Sequence, residues 1–145
     1  MIAVPERSAD TTWAYLFGAW LLATLATAGS LFFSVVMDLP PCNLCWVQRI
    51  FMFPLPLVLG VALHPHDPRG PRTGLALALP GLAVAGYHTL LYLGVLPEAA
   101  APCRQGVSCT QPSFELFGVL SIPLLSLLAF GGVTALLLRA RTRSP

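Results

Sequence analysis

The chain has 145 residues, of which 56% are hydrophobic and only 10% charged, with a net charge of +2. A soluble domain of this length cannot hide so much apolar surface, so a water-soluble globular protein is excluded. The small positive charge comes without a basic patch interleaved with aromatics, which excludes nucleic acid as a partner.

In chain order, residues 1–12 read as a short polar tail, followed by an apolar run from Trp13 to Val36. Ala26-Thr27-Ala28 before Gly29 resembles a signal-peptidase site. Glu6 and Asp10 in the tail, and the apolar run that continues through Val36, favour an uncleaved span instead. Asp38-Leu39-Pro40-Pro41 then removes backbone donors and forces an extended approach to Cys42-Asn43-Leu44-Cys45-Trp46-Val47-Gln48-Arg49. A second run covers Trp46–Leu63, with Pro54 and Pro56 expected to kink it. The proline-rich stretch from His64 to Pro71 reads as a tight turn. A third run follows from Thr73 to Leu96, in which Gly81, Gly86, Gly94, Ala78, Ala83 and Ala85 offer a small-residue face for close helix packing. Pro97 to Pro112 is a loop in which little regular structure is expected, and the fourth run is Leu116–Leu138.

Each run is about 18–25 residues, enough to cross a hydrocarbon core about 30 Å thick. The predicted fold is therefore all-α: an integral membrane four-helix bundle with short loops, one domain over 1–145. All eight basic residues are arginines. Arg7, Arg69, Arg72, Arg139, Arg141 and Arg143 share one side of a four-span protein, leaving Arg49 and Arg104 on the other. The positive-inside rule makes the majority side, with both termini, cytoplasmic. All four cysteines then fall on the outer face. That compartment is oxidising, so they are expected to be paired. Three pairings are possible, and Cys42–Cys45 with Cys103–Cys109 is the local choice.

A Cys-x-x-Cys that opens a helix meets exposed N–H groups and a dipole that favour a thiolate. Arg49 lies four residues after Cys45, on the same helical face, and on the side the charge rule disfavours. A redox-active thiol beside a fixed cation at a membrane edge points to electron exchange with a molecule dissolved in the lipid. Gln48, three residues after Cys45, is a hydrogen-bond donor to such a molecule. His88 is ionisable within the third run, which makes it a functional candidate by default; the competing reading is a histidine bonded to a neighbouring helix. Cys103 and Cys109 stand in an exposed loop where an external thiolate can attack their bond, and Arg104 would favour the thiolate of Cys103 once released. The rival readings are a structural disulfide staple without redox activity and a four-sulfur zinc site. The five residues between Cys103 and Cys109 are a looser spacing than zinc sites usually show.

Cys42-x-Leu44-Cys45-x-x-Gln48-Arg49 resembles the signature of the DsbB family of membrane thiol:quinone oxidoreductases, and Tyr87-His88 is similar to that family's Tyr-His or Glu-His position. Cys103-x5-Cys109 followed by Phe117 to Leu127 looks like the short-loop, BdbC-type branch. The resemblance spans about residues 13–138. It implies that Cys45 faces a quinone, ubiquinone or menaquinone, with Cys42 as its disulfide partner. It implies also that Arg49 and His88 line the quinone pocket, and that Cys103 takes the mixed disulfide which Cys109 resolves. The implied partner is an extracytoplasmic thioredoxin-fold oxidase, DsbA- or BdbD-like, and the location a bacterial plasma membrane with its lipid and quinone pool. No metal is required. Tyr92 departs from the family by standing where a glutamine is expected, and the second loop is too short for a membrane-lying helix. A vitamin K epoxide reductase-like enzyme is the nearest rival, but there the quinone-proximal Cys-x-x-Cys follows the loop cysteines, whereas here it precedes them.

Overall fold

The computed structural model describes residues 5–64, 67–102, 108–110, 115–116 and 120–143. Helix α1 runs Pro5–Leu31 and passes into a wider π turn over Phe32–Val36. Helices α2 (Asn43–Met52) and α3 (Pro54–Ala62) form one interrupted span, broken at Phe53 where Pro54 begins the second half. Helix α4 covers Gly70–Tyr92 and α5 covers Ile122–Arg143. Among the described residues, four segments are long and apolar enough to cross a membrane: Ala9–Val36, Asn43–Ala62, Gly70–Tyr92 and Ile122–Arg143. The protein is a four-helix membrane bundle, as its composition requires.

The helices close into a ring. Helix α5 packs on α1 and α4; α3 packs on the opposite flanks of both, and α2 packs mainly on α4. Alanines and branched side chains fill the centre around the ring of Phe130, among them Ala19, Ala23, Leu55, Leu59, Ala78, Ala85, Val133 and Leu137. Large apolar residues such as Leu57, Val61 and Ile50 point outward. Exposed apolar bulk is the expected surface when the solvent is hydrocarbon.

The close approach of α4 to its neighbours is carried by Gly74, Ala78, Gly81 and Ala85, all buried and spaced four, three and four residues apart. A Cβ on Gly81 would run into the ring of Phe130, and one on Gly74 would lie 2.8 Å from Leu59 and 2.9 Å from Leu137. This face is narrower than the composition of the run implies. Ala83 is exposed, and a side chain on Gly86 would meet nothing within 4 Å. Gly94 serves instead to end the helix, with φ +71°, Val95 N–H donating to Leu90 O at 3.0 Å and Gly94 N–H to Leu91 O at 3.1 Å.

Several helix boundaries differ from the reading of hydropathy, among them the polar tail, which is helical from Pro5, and the starts of α4 and α5. Helix α4 starts at Gly70, with Pro71 in its first turn, a place where a missing N–H costs nothing. Helix α5 starts at Ile122, later than Leu116. The preceding residues form a short antiparallel pair, β1 (Glu115–Leu116) with β2 (Leu120–Ser121), in register Glu115 to Ser121 and Leu116 to Leu120. Thr89 hydroxyl, which donates to Ala85 O at 2.8 Å, also lies 3.3 Å from Pro123 O, linking α4 to the start of α5.

Candidate functional site

The site begins with how the chain enters α2. After the π turn, Asp38 adopts φ +53°, a left-handed conformation that aspartate tolerates better than most residues. Pro40 and Pro41 then keep the backbone extended, and Cys42 becomes the N-cap of α2 with φ −72° and ψ 169°. Its sulfur accepts the N–H of Cys45 at 3.3 Å, satisfying one of the open donors of the first turn. The first sulfur of the Cys-x-x-Cys is thus fixed by the helix it opens.

Both thiols are free, with Sγ atoms 2.8 Å apart. The contact with Cys45 holds the Cys42 thiol down to about 4; burial opposes this shift and His88 assists it. From α4, His88 reaches across with Nε2 3.9 Å from Cys42 Sγ. Its other nitrogen, Nδ1, lies 3.2 Å from the Gln48 side-chain amide. His88 is 2% exposed and Gln48 6%, so the imidazole is clamped between a thiol and an amide out of reach of water. An amide holds the plane of the ring whichever nitrogen carries the proton, because it offers both a donor and an acceptor.

Arg49 points away from that pair, toward α1. Its Nε–H donates to Ser30 Oγ at 2.9 Å and Nη2–H to Ser30 O at 2.9 Å. The guanidinium also lies 5.1 Å from the Trp46 ring centroid and 5.8 Å from that of Phe53. It is held by cation–π contacts and two hydrogen bonds rather than by a carboxylate, so its charge stays uncompensated by an anion among these contacts.

These groups share one cavity of about 530 Å³. Cys42, Cys45, Gln48, Arg49, His88 and Cys109 all line it, among apolar residues from α1, α2 and α5. Cys109 is disulfide-bonded and buried in a cluster with Cys42, Leu44 and Leu91. Cys103 lies outside the described residues. Tyr92, which stands where the family resemblance expects a glutamine, also lines the cavity. Tyr87 instead donates its hydroxyl to Ala100 O at 2.5 Å, fastening the second loop to α4. Ser30 was not found by sequence reasoning. The available signal was its polarity near the end of an apolar span, since such residues face the bundle interior.

A free dithiol, an imidazole and a cation around an apolar chamber inside a membrane bundle make this a membrane protein of thiol–disulfide chemistry. The chain belongs to the DsbB family: the family model, described as disulfide bond formation protein DsbB, matches residues 10–140. It is 42% identical over 134 residues to a probable disulfide formation protein of Metapseudomonas resinovorans, covering 92% of this chain and 93% of the relative. It is 43% identical over 112 residues to probable disulfide formation protein C 2 of Bacillus cereus, covering 77% and 80% of the two chains. It is 38% identical over 116 residues to disulfide bond formation protein C of Bacillus subtilis, covering 80% and 84%. No solved structure matches the chain. Its role is in disulfide bond formation, as a multi-pass membrane protein of the disulfide oxidoreductase class.

Proposed function

We propose that the protein is a thiol:quinone oxidoreductase of a bacterial plasma membrane. It reoxidises an extracytoplasmic thioredoxin-fold oxidase and passes the electrons through two cysteine pairs to ubiquinone or menaquinone. The observation that carries this reading is the shared cavity, which puts Cys42, Cys45, Gln48, Arg49, His88 and Cys109 around one apolar space.

The residues present fit a quinone. At about 530 Å³ the cavity is within the size range of small-molecule sites, and it is apolar with a few polar groups, as such sites are. Gln48, Arg49 and His88 are the donors available to carbonyl oxygens. A quinone held there supplies an acceptor for two electrons and two protons.

The chain's own residues do the rest. A thiolate of the reduced partner attacks the Cys103–Cys109 bond, and the mixed disulfide resolves to give the oxidised partner and two thiols. Those thiols reduce Cys42–Cys45 in the same way, each exchange moving two electrons and two protons. Cys42, capped by the N-terminus of α2, is the sulfur prepared to leave as thiolate. His88 stands 3.9 Å from it as the proton carrier. Arg49, fixed by Ser30, keeps positive charge beside the cavity where anionic character develops, in a place that costs no reorganisation during turnover. The arginine asymmetry supports an orientation with both termini in the cytoplasm and the cysteine loops outside.

The test is quinol production by the purified protein in detergent, with a reduced thioredoxin-fold oxidase or a small dithiol as donor. Steady turnover that Cys45→Ser abolishes supports the proposal. Absence of turnover with both quinone types, while Cys42–Cys45 forms and breaks normally, refutes it.

A further inference from the structure

We infer that the reduced Cys42–Cys45 pair and His88 form a three-ligand site for a thiophilic d10 cation, zinc foremost, whose binding locks the pair in its dithiol form. The ligating atoms of Cys42, Cys45 and His88 lie within 4.8 Å of one another, and all three residues are buried or half-buried. Two sulfurs and one imidazole with an open fourth position is a donor set zinc uses.

The distances need little change. A tetrahedral ion with Zn–S about 2.3 Å and Zn–N about 2.0 Å separates sulfur from nitrogen by about 3.5 Å and sulfur from sulfur by about 3.8 Å. Cys42 Sγ and His88 Nε2 are 3.9 Å apart. The sulfurs, at 2.8 Å, have to part by about 1 Å, which a turn of the half-buried Cys45 side chain toward the cavity supplies.

Two independent features support a metal here. Gln48 Nε2 faces Nδ1 of His88 at 3.2 Å; a half-turn of the amide exchanges its nitrogen for its oxygen, which then accepts an Nδ1–H and leaves the His88 Nε2 lone pair aimed at the sulfurs. Such an outer partner is the usual companion of a metal-bound histidine. The second feature is charge. A divalent cation with two thiolates sums to zero, so the occupied site adds no net charge to an apolar interior that already holds Arg49. The site is gated by redox state, since a disulfide has no thiolate to offer. The inference needs only that the pair can be reduced, and it stands apart from the quinone reading.

Zinc is titrated against a chromophoric chelator into full-length Cys103→Ser/Cys109→Ser protein in detergent, freed of metal and reduced with a phosphine. A parallel sample is oxidised across Cys42–Cys45. The expected result is about one zinc per reduced chain, none above background in the oxidised chain, and at least tenfold weaker binding in His88→Ala. Equal binding by the oxidised protein, undiminished binding by His88→Ala, or no binding at micromolar zinc each overturns the inference. If the double serine variant does not fold, cadmium replaces zinc in the fully reduced wild-type chain. The sulfur-to-cadmium absorption must then weaken in both His88→Ala and Cys45→Ser, and a signal unchanged in either sinks the site. Quinone turnover is no part of the readout, so failure here leaves the proposed function untouched, and the reverse.

Discussion

Ser30→Ala tests whether the cation beside the cavity acts through its anchorage. Arg49 is tied to α1 by two bonds of 2.9 Å, one to the Ser30 hydroxyl and one to the Ser30 carbonyl. Alanine removes the first and keeps the second. A hydrogen bond to a charged group contributes about 1.5–3 kcal/mol. Because the second bond, to the Ser30 carbonyl, survives and still holds the guanidinium, the lower end applies. About 1.4 kcal/mol corresponds to a factor of about ten in rate or affinity. We expect kcat/KM for a short-chain quinone to fall about tenfold in Ser30→Ala and to recover in Ser30→Thr, which restores the hydroxyl. The serine effect should vanish in an Arg49→Met background, since a residue that acts through another has nothing left to act on. The reasoning is refuted by a Ser30→Ala enzyme within twofold of wild type, or by an equal loss with and without Arg49.

Three further outcomes are expected. With Cys42 held below its ordinary value of 9.0, at about 4, the extra stability of the reduced protein is complete above about pH 9 and lost as pH falls through about 4. The Cys42–Cys45 potential, measured in metal-free protein, should therefore fall by about 30 mV per pH unit around neutrality, one proton per two electrons; a slope of about 59 mV would mean that Cys42 is protonated there. Gly81→Ala drives a methyl group into the ring of Phe130, which is 1% exposed, and should destabilise the bundle by about 1–3 kcal/mol in thermal melts. Phe130→Leu should restore part of that loss, and Gly86→Ala, with open space around it, should change stability by less than about 0.5 kcal/mol. Tyr87→Phe loses the bond to Ala100 O, worth about 1 kcal/mol, so hydrogen exchange at the Ala100 and Ala101 amides should quicken about fivefold; unchanged exchange would show that other contacts hold the loop.

The class of fold was legible because hydropathy over a span-length window reports the solvent a helix must face, whatever its neighbours are. The start of α5 was not. Leu116 and Leu120 belong to a short strand pair, and an apolar run reads alike whether it extends or coils. The break at Phe53 was legible because a proline ring removes a specific donor whatever surrounds it. In the site, the Cys-x-x-Cys announced itself by spacing, and the place of Arg49 one turn after Cys45 follows from helical periodicity within one segment. The contacts of Cys42 with His88 and of Arg49 with Ser30 join separate helices. They depend on the rotation of each helix about its own axis, which is set by packing at Gly74, Gly81 and Phe130 rather than by local pattern. The same dependence explains the small-residue face: composition offered six candidates, and only those turned toward Phe130 and its neighbours take part.

The cavity wall includes Leu25 and Leu128, which are 61% and 59% exposed on the outside of the bundle. On that side the chamber therefore borders the hydrocarbon phase. A hydrophobic molecule reaches it by lateral diffusion, and the quantity that governs occupancy is its mole fraction in the surrounding lipid, not its molarity in the sample. Doubling the detergent or lipid at fixed totals of protein and ligand halves that mole fraction and lowers occupancy wherever the site is not saturated. Saturation constants obtained at different micelle contents become comparable only when expressed per lipid, and the composition of the bilayer becomes a variable of the reaction as real as the concentration of either thiol.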